Sequence, residues 1–333
     1  MTLFSGHTVS FRGSGICVPE RVMTNKDLEK IVDTSDEWIR ERSGIRERRI
    51  AMPGEQTSHF ALGAARKALE EAGIAPEDLD MVIVATNSPD TLFPSVAARV
   101  QAGLGAERAG AMDLQAGCTG CIYAITTAAS GIAAGIWRHV VVIGSEVLSR
   151  MIDWEDRNTC VLFGDGAGAF VLSRGEAGEG SSFCSASLRA EGDKEDLITF
   201  PGGLSECPAS PKSLEEKKHQ VYMKGNDVFK FVNRKLPPFL RDFCDQSGIS
   251  PEDVDLWIFH QANLRIIDGV LERFGLPREK TFVNLDKYGN TSAASVFIAF
   301  HEARETGRLL PGQKVVLCSF GAGMTYGAVF FTA

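Results

Sequence analysis

Two apolar strings recur at one spacing, and this limits the folds open to the chain more than any other feature. Met81-Val82-Ile83-Val84 returns 175 positions later as Leu256-Trp257-Ile258-Phe259, and Val140-Val141-Val142 returns at the same separation as Val315-Val316-Leu317. Between these pairs, Gly117-Cys118-Thr119 opens one long helical segment and Gly289-Asn290-Thr291 opens another, 172 positions on. Short apolar strings do coincide by chance. Three similar offsets in one order, each in a strand–glycine–helix setting, read as two copies of a βαβ-rich unit. A chain of 333 residues has room for two such units, placed here at 1–175 and 176–333.

The local pattern alternates. Phe60, Ala64, Ala68, Leu69 and Ala72 mark a helix over Glu55–Gly73, with Thr57 or Ser58 to cap it and Gly73 to end it. A buried strand follows at Met81–Ala85, then a helix entered at Pro94 and running to Leu104, then a short strand at Ala111–Leu114. Val140–Ile143, Leu256–Phe259, Phe282–Leu285 and Lys314–Ser319 read as further strands, with helices near Asn263–Phe274 and Ser292–Thr306. Continuous apolar strands alternating with helices imply a mixed sheet covered on both faces, hence an α/β fold. Leu114 to Trp137 carries no charge, long enough to suggest a membrane span. Its Gly, Ala, Ser and Thr content and the β-branched run behind it fit better a helix buried on all sides of a soluble protein.

Composition removes several classes of function. Lys and Arg number 35 against 43 Asp and Glu, a net charge of −8, which argues against a nucleic-acid binder. With 44% hydrophobic and 23% charged residues the chain is not disordered. Eight cysteines are too few for a disulfide scaffold and the opening MTLFSGHTVSFRGSG lacks a continuous apolar core, so the thiols are expected to be reduced and the protein cytoplasmic. Ser205–His219 is polar and Pro-containing, the mark of a surface excursion.

A few residues carry chemistry. Cys118 sits between a strand and a helix start, where free N–H groups and the helix dipole favour a thiolate nucleophile; the alternative is a small core residue. The Cys118-x-x-Cys121 spacing suggests a redox dithiol, but neither a second such pair nor a histidine cluster supports redox or metal chemistry, and no metal is expected. His260 follows a strand's carboxyl end, where sites in α/β sheets collect. Asn290 begins the helix equivalent to that of Cys118, and as a good N-cap it has a purely structural alternative; Asn290-Thr291-Ser292 also fits a glycosylation acceptor, unused in the cytoplasm. Gly164-Asp165-Gly166-Ala167-Gly168 leads into a strand-like run and not a helix, so a dinucleotide loop is excluded. Backbone N–H groups in Gly321-Ala322-Gly323 could serve an oxyanion.

With Cys118, His260 and Asn290 in place, the chain resembles the β-ketoacyl-acyl carrier protein synthase III family of condensing enzymes. The matching strings are Thr34-Ser35-Asp36-Glu37-Trp38-Ile39, Gly44-Ile45-Arg46-Glu47-Arg48, Phe163 to Gly168, His260-Gln261-Ala262-Asn263-Leu264-Arg265-Ile266, Gly289 to Ser295, and Phe320-Gly321-Ala322-Gly323. The resemblance implies a thiolase-like, duplicated, five-layered α-β-α-β-α architecture. It implies acyl transfer from coenzyme A to Cys118, with acetyl-CoA the expected starter, then decarboxylative condensation with malonyl-acyl carrier protein. His260 and Asn290 would hold the enolate, and the N–H groups of Cys118 and Ala322 would form the oxyanion hole.

By the same match, Trp38, Arg42 and Arg157 would meet the coenzyme A nucleotide, and Gly225, Phe229, Ala262 and Asn263 would line the pantetheine tunnel. Phe93 matches a position where a dimer partner closes the acyl pocket, so a homodimer is implied. No cofactor is implied beyond the coenzyme A thioester as substrate. Because the net charge is −8, an acidic carrier protein would need a local basic patch, for which Lys230, Arg234, Arg265 and Arg273 are candidates. Three departures from the family pattern (Gly117, Cys121 and Ala322) bear on acyl preference. A related condensing enzyme with another starter, or a non-enzymatic thiolase-like subunit, are the alternative readings.

Overall fold

The computed structural model describes residues 6–175 and 183–333. Positions matched by the sequence repeat become strand partners in one register: Met81 lies opposite Val140 and Leu256 opposite Val315, both in parallel ladders. The expected boundary after residue 175 adjoins residues 176–182, which lie outside the described residues.

The first sheet comprises β1 (Val9–Cys17), β2 (Met81–Ala85), β3 (Gly110–Leu114), β4 (His139–Glu146) and β5 (Gly166–Arg174), in the order β1-β5-β4-β2-β3. The second comprises β6 (Phe183–Ala190), β7 (Leu256–Phe259), β8 (Lys314–Gly321) and β9 (Thr325–Thr332), in the order β7-β8-β9-β6. In each, a parallel pair continues into two antiparallel neighbours. The second sheet has no strand at Phe282–Leu285, contrary to the sequence expectation. Only Thr281 bridges to Trp257, and its hydroxyl takes the Trp257 carbonyl at 2.8 Å. Beyond it, Gln261 Oε1 accepts from Asn284 N at 3.1 Å and a helical turn begins at Leu285, so the ladder cannot extend.

Helices fill three layers around these sheets. On the outer face of the first sheet lie α1 (Thr57–Ala72) and α2 (Val96–Leu104). The expected caps of α1 are used otherwise: Thr57 Oγ1 donates to Ser88 O at 2.5 Å, and Ser58 N donates to Asp90 Oδ1 at 3.0 Å. Gly73 ends α1 in the left-handed conformation as expected. The helix α2 starts two residues beyond Pro94 because Asp113 accepts from Val96 N and Ala97 N at 2.8 and 2.7 Å. Between the sheets run α3 (Gly120–Ala133) and α6 (Ser295–Glu305), in one core with residues of both. That position explains the uncharged sequence of α3, whose Ile122, Ile125, Ala128, Ala129 and Ile132 are fully buried. Phe297 and Phe300 of α6 meet Phe170 of β5 edge-on at 4.7 and 4.6 Å. On the outer face of the second sheet lie α4 (Gly225–Ser247) and α5 (Leu264–Phe274). The layers read α-β-α-β-α. Among the described residues no helix is long and apolar enough to cross a membrane, and no disulfide joins any of the eight cysteines.

Candidate active site

The two copies meet end to end at a pair of turns. Cys118 lies in the turn between β3 and α3, with Thr119 as N-cap, and Ala322 lies in the turn between β8 and β9. The turns touch backbone to backbone. Gly117 has φ +57°, and a Cβ there would come within 2.5 Å of Ala322 N. A Cβ on Gly321 would collide with Cys118 N. Side chains stitch the turns together: Ser319 Oγ donates to Cys118 O at 2.8 Å, and Thr325 Oγ1 donates to Ala116 O at 2.9 Å. Glycine at 117 is thus what the close approach requires.

A cavity of about 1270 Å³ opens over these turns, larger than the ~300–1,000 Å³ common for small-molecule sites. It brings together Cys118, His260, Asn290 and Ala322 from four separate stretches of chain. Burial pushes the Cys118 thiol up to about 12. Cys118 precedes the N-cap Thr119, where the helix dipole expected to favour the thiolate acts against this desolvation. Cys121 is likewise pushed up to about 12 by burial; it is sealed in the core, where its Sγ meets Cys118 O at 3.6 Å, and it does not line the cavity. The two thiols differ in access to the cavity.

His260 follows β7, held by its N–H to Cys318 O at 2.8 Å. Its Nδ1 lies 2.6 Å from Ser295 Oγ, which also accepts from Gln261 N at 3.3 Å. In the neutral ring, the tautomer in which the Ser295 hydroxyl donates to Nδ1 carries its proton on Nε2. Burial holds the imidazole down at about 3, hence neutral near pH 7.

Asn290 is fixed by the Phe163–Gly168 string. Its N–H donates to Leu162 O at 2.8 Å and its carbonyl accepts from Gly164 N at 3.0 Å. Gly164 admits no side chain, because a Cβ would collide with Tyr288 O. Asp165 anchors the same string by accepting from Ala51 N and Ser149 N at 2.8 and 2.9 Å. Asn290 Oδ1 accepts from Ser292 N at 2.9 Å, which assigns its Nδ2 as the free donor.

Of the other residues singled out from sequence, Trp38, Arg42, Gly225, Phe229, Ala262, Asn263 and Arg265 line the cavity. Arg157 lies off the lining, with its guanidinium 4.7 Å over the Trp38 ring; that of Arg42 is 5.6 Å away. Phe93 is 85% exposed and is not part of its own chain's cavity wall, although Leu92 is. Lys230, Arg234 and Arg273 are exposed and off the lining, so of the four basic candidates only Arg265 is at the cavity. Lys230 pairs with Asp227 at 3.3 Å. The Ser205–His219 excursion carries a short helix, Pro211–Glu215, and returns to the cavity wall at His219. The sequence reading missed Asn87, Ser292 and Phe320 in the wall, and Ser295 behind His260. Among the described residues no group of three or more His, Cys, Asp or Glu could hold a metal ion.

The duplicated sheets, their shared central helices and the turn-borne cysteine define a thiolase-fold condensing enzyme. Family models described as 3-oxoacyl-[acyl-carrier-protein] synthase III match residues 112–192 and, for its C-terminal part, 244–333. The β-ketoacyl-[acyl-carrier-protein] synthase III of Symbiobacterium thermophilum is 50% identical over 96% of this chain and 97% of its own length. That of Caldanaerobacter subterraneus is 48% identical over 95% of each. The crystal structure of the Aquifex aeolicus synthase III superposes with a TM-score of 0.90 at 44% identity, covering 98% of this chain and 100% of the other. The chain belongs to the β-ketoacyl-[acyl-carrier-protein] synthase III family.

Proposed function

We propose that this synthase III uses Cys118, His260 and Asn290 to join an acetyl starter from coenzyme A to malonyl-acyl carrier protein, the initiating step of type II fatty-acid synthesis. In the first half-reaction the Cys118 sulfur attacks the starter carbonyl, the bond to the coenzyme A sulfur breaks, and the departing sulfur takes the thiol's proton. In the second, malonyl-acyl carrier protein loses carbon dioxide. The negative charge that develops on its thioester oxygen meets His260 Nε2–H and Asn290 Nδ2–H. The resulting carbon nucleophile attacks the acyl-Cys118 carbonyl, and the Sγ–acyl bond breaks to release the β-ketoacyl product. The N–H groups of Cys118 and Ala322 serve the tetrahedral oxyanions.

The observation that carries this reading is that Asn290 Nδ2 is left as the free donor in the same cavity as a neutral His260, taken here as the tautomer protonated on Nε2. Ser295 takes Nδ1 of a neutral His260, and Ser292 N takes Oδ1 of Asn290. A positively charged histidine would hold the carboxylate of malonyl and oppose decarboxylation, whereas a neutral donor stabilises only the charge that develops.

At the far end of the cavity the Arg157–Trp38–Arg42 stack suits an adenine inserted against Trp38, with the guanidiniums meeting phosphate. Pantetheine would run past Gly225, Phe229, Ala262 and Asn263. The carrier protein would dock on Arg265, with Lys230, Arg234 and Arg273 around it. The apolar pair Leu92 and Phe93, 68% and 85% exposed, suits cover by a second copy of the chain, making a homodimer. The halves 1–175 and 176–333 then supply the nucleophile and the two donors respectively. The reaction draws on no cofactor, coenzyme A entering as substrate, and cysteines outside any disulfide suit the cytoplasm. Incubation with acetyl-CoA followed by peptide mass measurement tests the reading: an acetyl group on the peptide holding Cys118 is expected, and its absence contradicts it.

A further inference from the structure

Ser292 holds φ at +48°, a left-handed conformation that a glycine would hold at less cost. The contacts around it over-determine that conformation. Ser292 is buried; its N–H goes to Asn290 Oδ1 at 2.9 Å, its Oγ accepts from Asn87 Nδ2 at 3.2 Å, and the same Oγ lies 3.2 Å from Cys118 Sγ.

Asn87 is itself held by a fully buried carboxyl. Its N and Nδ2 donate to Glu146 at 3.1 and 2.7 Å. Ser88 Oγ, at 2.6 Å, Thr86 Oγ1, at 3.4 Å, and the Ser292 hydroxyl also donate to that carboxyl. One amide hydrogen of Asn87 therefore faces Glu146 and the other faces Ser292. With its oxygen accepting from Asn87, the serine has one proton to give, and two acceptors are within its reach, Cys118 Sγ and the Glu146 carboxyl.

We propose that Ser292 is a further catalytic residue, whose hydroxyl donates to the Cys118 sulfur whenever that sulfur carries negative charge, with the Asn87–Glu146 pair holding the hydroxyl oxygen within reach of it. This rests on Cys118 being the acyl acceptor. In acyl transfer the thiol loses its proton, Sγ bonds to the acyl carbon, and the coenzyme A sulfur leaves and is protonated. In condensation the new carbon–carbon bond forms as the Sγ–acyl bond breaks, and the thiolate regains a proton. Charge collects on Sγ in both steps. Burial and the Glu146 carboxyl push the Cys118 thiol up, and Ser292 is the side chain that acts against them. Cys121 and His260 are the other titratable groups near the sulfur: Cys121 is sealed in the core and His260 is neutral.

Alkylation of the full-length protein by iodoacetamide across pH, with mass mapping of the modified peptide and thermal melting of each variant, tests this. Ser292→Gly deletes the hydroxyl and eases the backbone, whereas Ser292→Ala deletes the hydroxyl and keeps the strain. Both variants should melt cooperatively, with Cys118 still the alkylated residue. Its alkylation below the plateau should be about tenfold slower in each, the pH profile displaced upward by about one unit, and acyl transfer from acetyl-CoA slowed by a similar factor. Identical pH profiles in the parent and Ser292→Gly would overturn the proposal. So would a loss confined to Ser292→Ala, which would place the effect in the backbone. Failure of Cys118 to react in the parent protein, while the partly exposed Cys17, Cys184 or Cys207 is alkylated, would overturn instead the choice of nucleophile beneath it.

Discussion

Ser295 Oγ lies 2.6 Å from His260 Nδ1, across 35 residues of chain, and a proton given to Nδ1 leaves the ring's own proton on Nε2. Ser295→Ala should let the imidazole take either tautomer. Condensation should fall about tenfold or more, short of the ~10²–10³ that deletion of a whole donor costs. Acyl transfer to Cys118 should be unchanged, and burst-phase measurement of the acyl-enzyme separates the two. Equal losses in both half-reactions would mean that Ser295 supports the fold and not the tautomer.

The same burial makes a pH prediction with a definite sign. His260 is held down at about 3 from an ordinary value of 6.5, so the folded state resists protonation that the unfolded chain accepts. Its contribution to stability is present above about pH 6.5 and is lost as pH falls toward 3, at up to ~1.4 kcal/mol per pH unit. Urea unfolding of the parent and of His260→Ala at pH 7.0, 5.5 and 4.5 checks this: the parent should lose more on acidification. Condensation should also lack an acid limb near pH 6.5, since His260 is already neutral there.

Burial raises the thiol pKa of both Cys118 and Cys121, but Cys118 lines the cavity and Cys121 does not. Cys118→Ala should abolish acyl-enzyme formation, and Cys121→Ala should keep it while lowering the melting temperature slightly through the small void it leaves. Mass measurement of each protein after exposure to acetyl-CoA decides the matter. An acetyl group on Cys121 of Cys118→Ala would contradict the assignment.

Much of this was legible in sequence for a physical reason. Buried strands must be apolar, so a duplicated sheet leaves its register in the sequence, and Met81–Val140 and Leu256–Val315 pair as the offsets imply. Cys118, His260 and Asn290 were legible because each stands at a glycine-marked turn or a strand end. Ser292, Ser295 and Asn87 were not, because small polar residues serve many roles and their partners are distant; Asn87 and Ser292 are 205 residues apart. Glu146, the one charge at the end of an otherwise apolar strand, was the available cue to the Asn87 network. The strand expected at Phe282–Leu285 failed because Gln261 takes its backbone groups, a tertiary effect no local pattern contains.

Arg265 stands at the start of α5 with its guanidinium 5.7 Å over Phe229, at the cavity wall. Arg265→Glu should raise KM for malonyl-acyl carrier protein several-fold and flatten its salt dependence, because under the proposed docking attraction becomes repulsion there. Turnover with malonyl-pantetheine, which has no carrier to dock, should change far less. Equal losses with both substrates would place Arg265 in the chemistry or the fold.

The central claim is that one cavity divides its labour, Cys118 taking the acyl group and Asn290 with His260 stabilising the enolate. Asn290→Ala tests it most directly, with acyl-enzyme and condensation product measured on the same protein sample. The account predicts acetylation of Cys118 at close to the parent rate and condensation reduced by ~10²–10³. A parallel fall in both would contradict it and make the pair part of the machinery that activates the thiol.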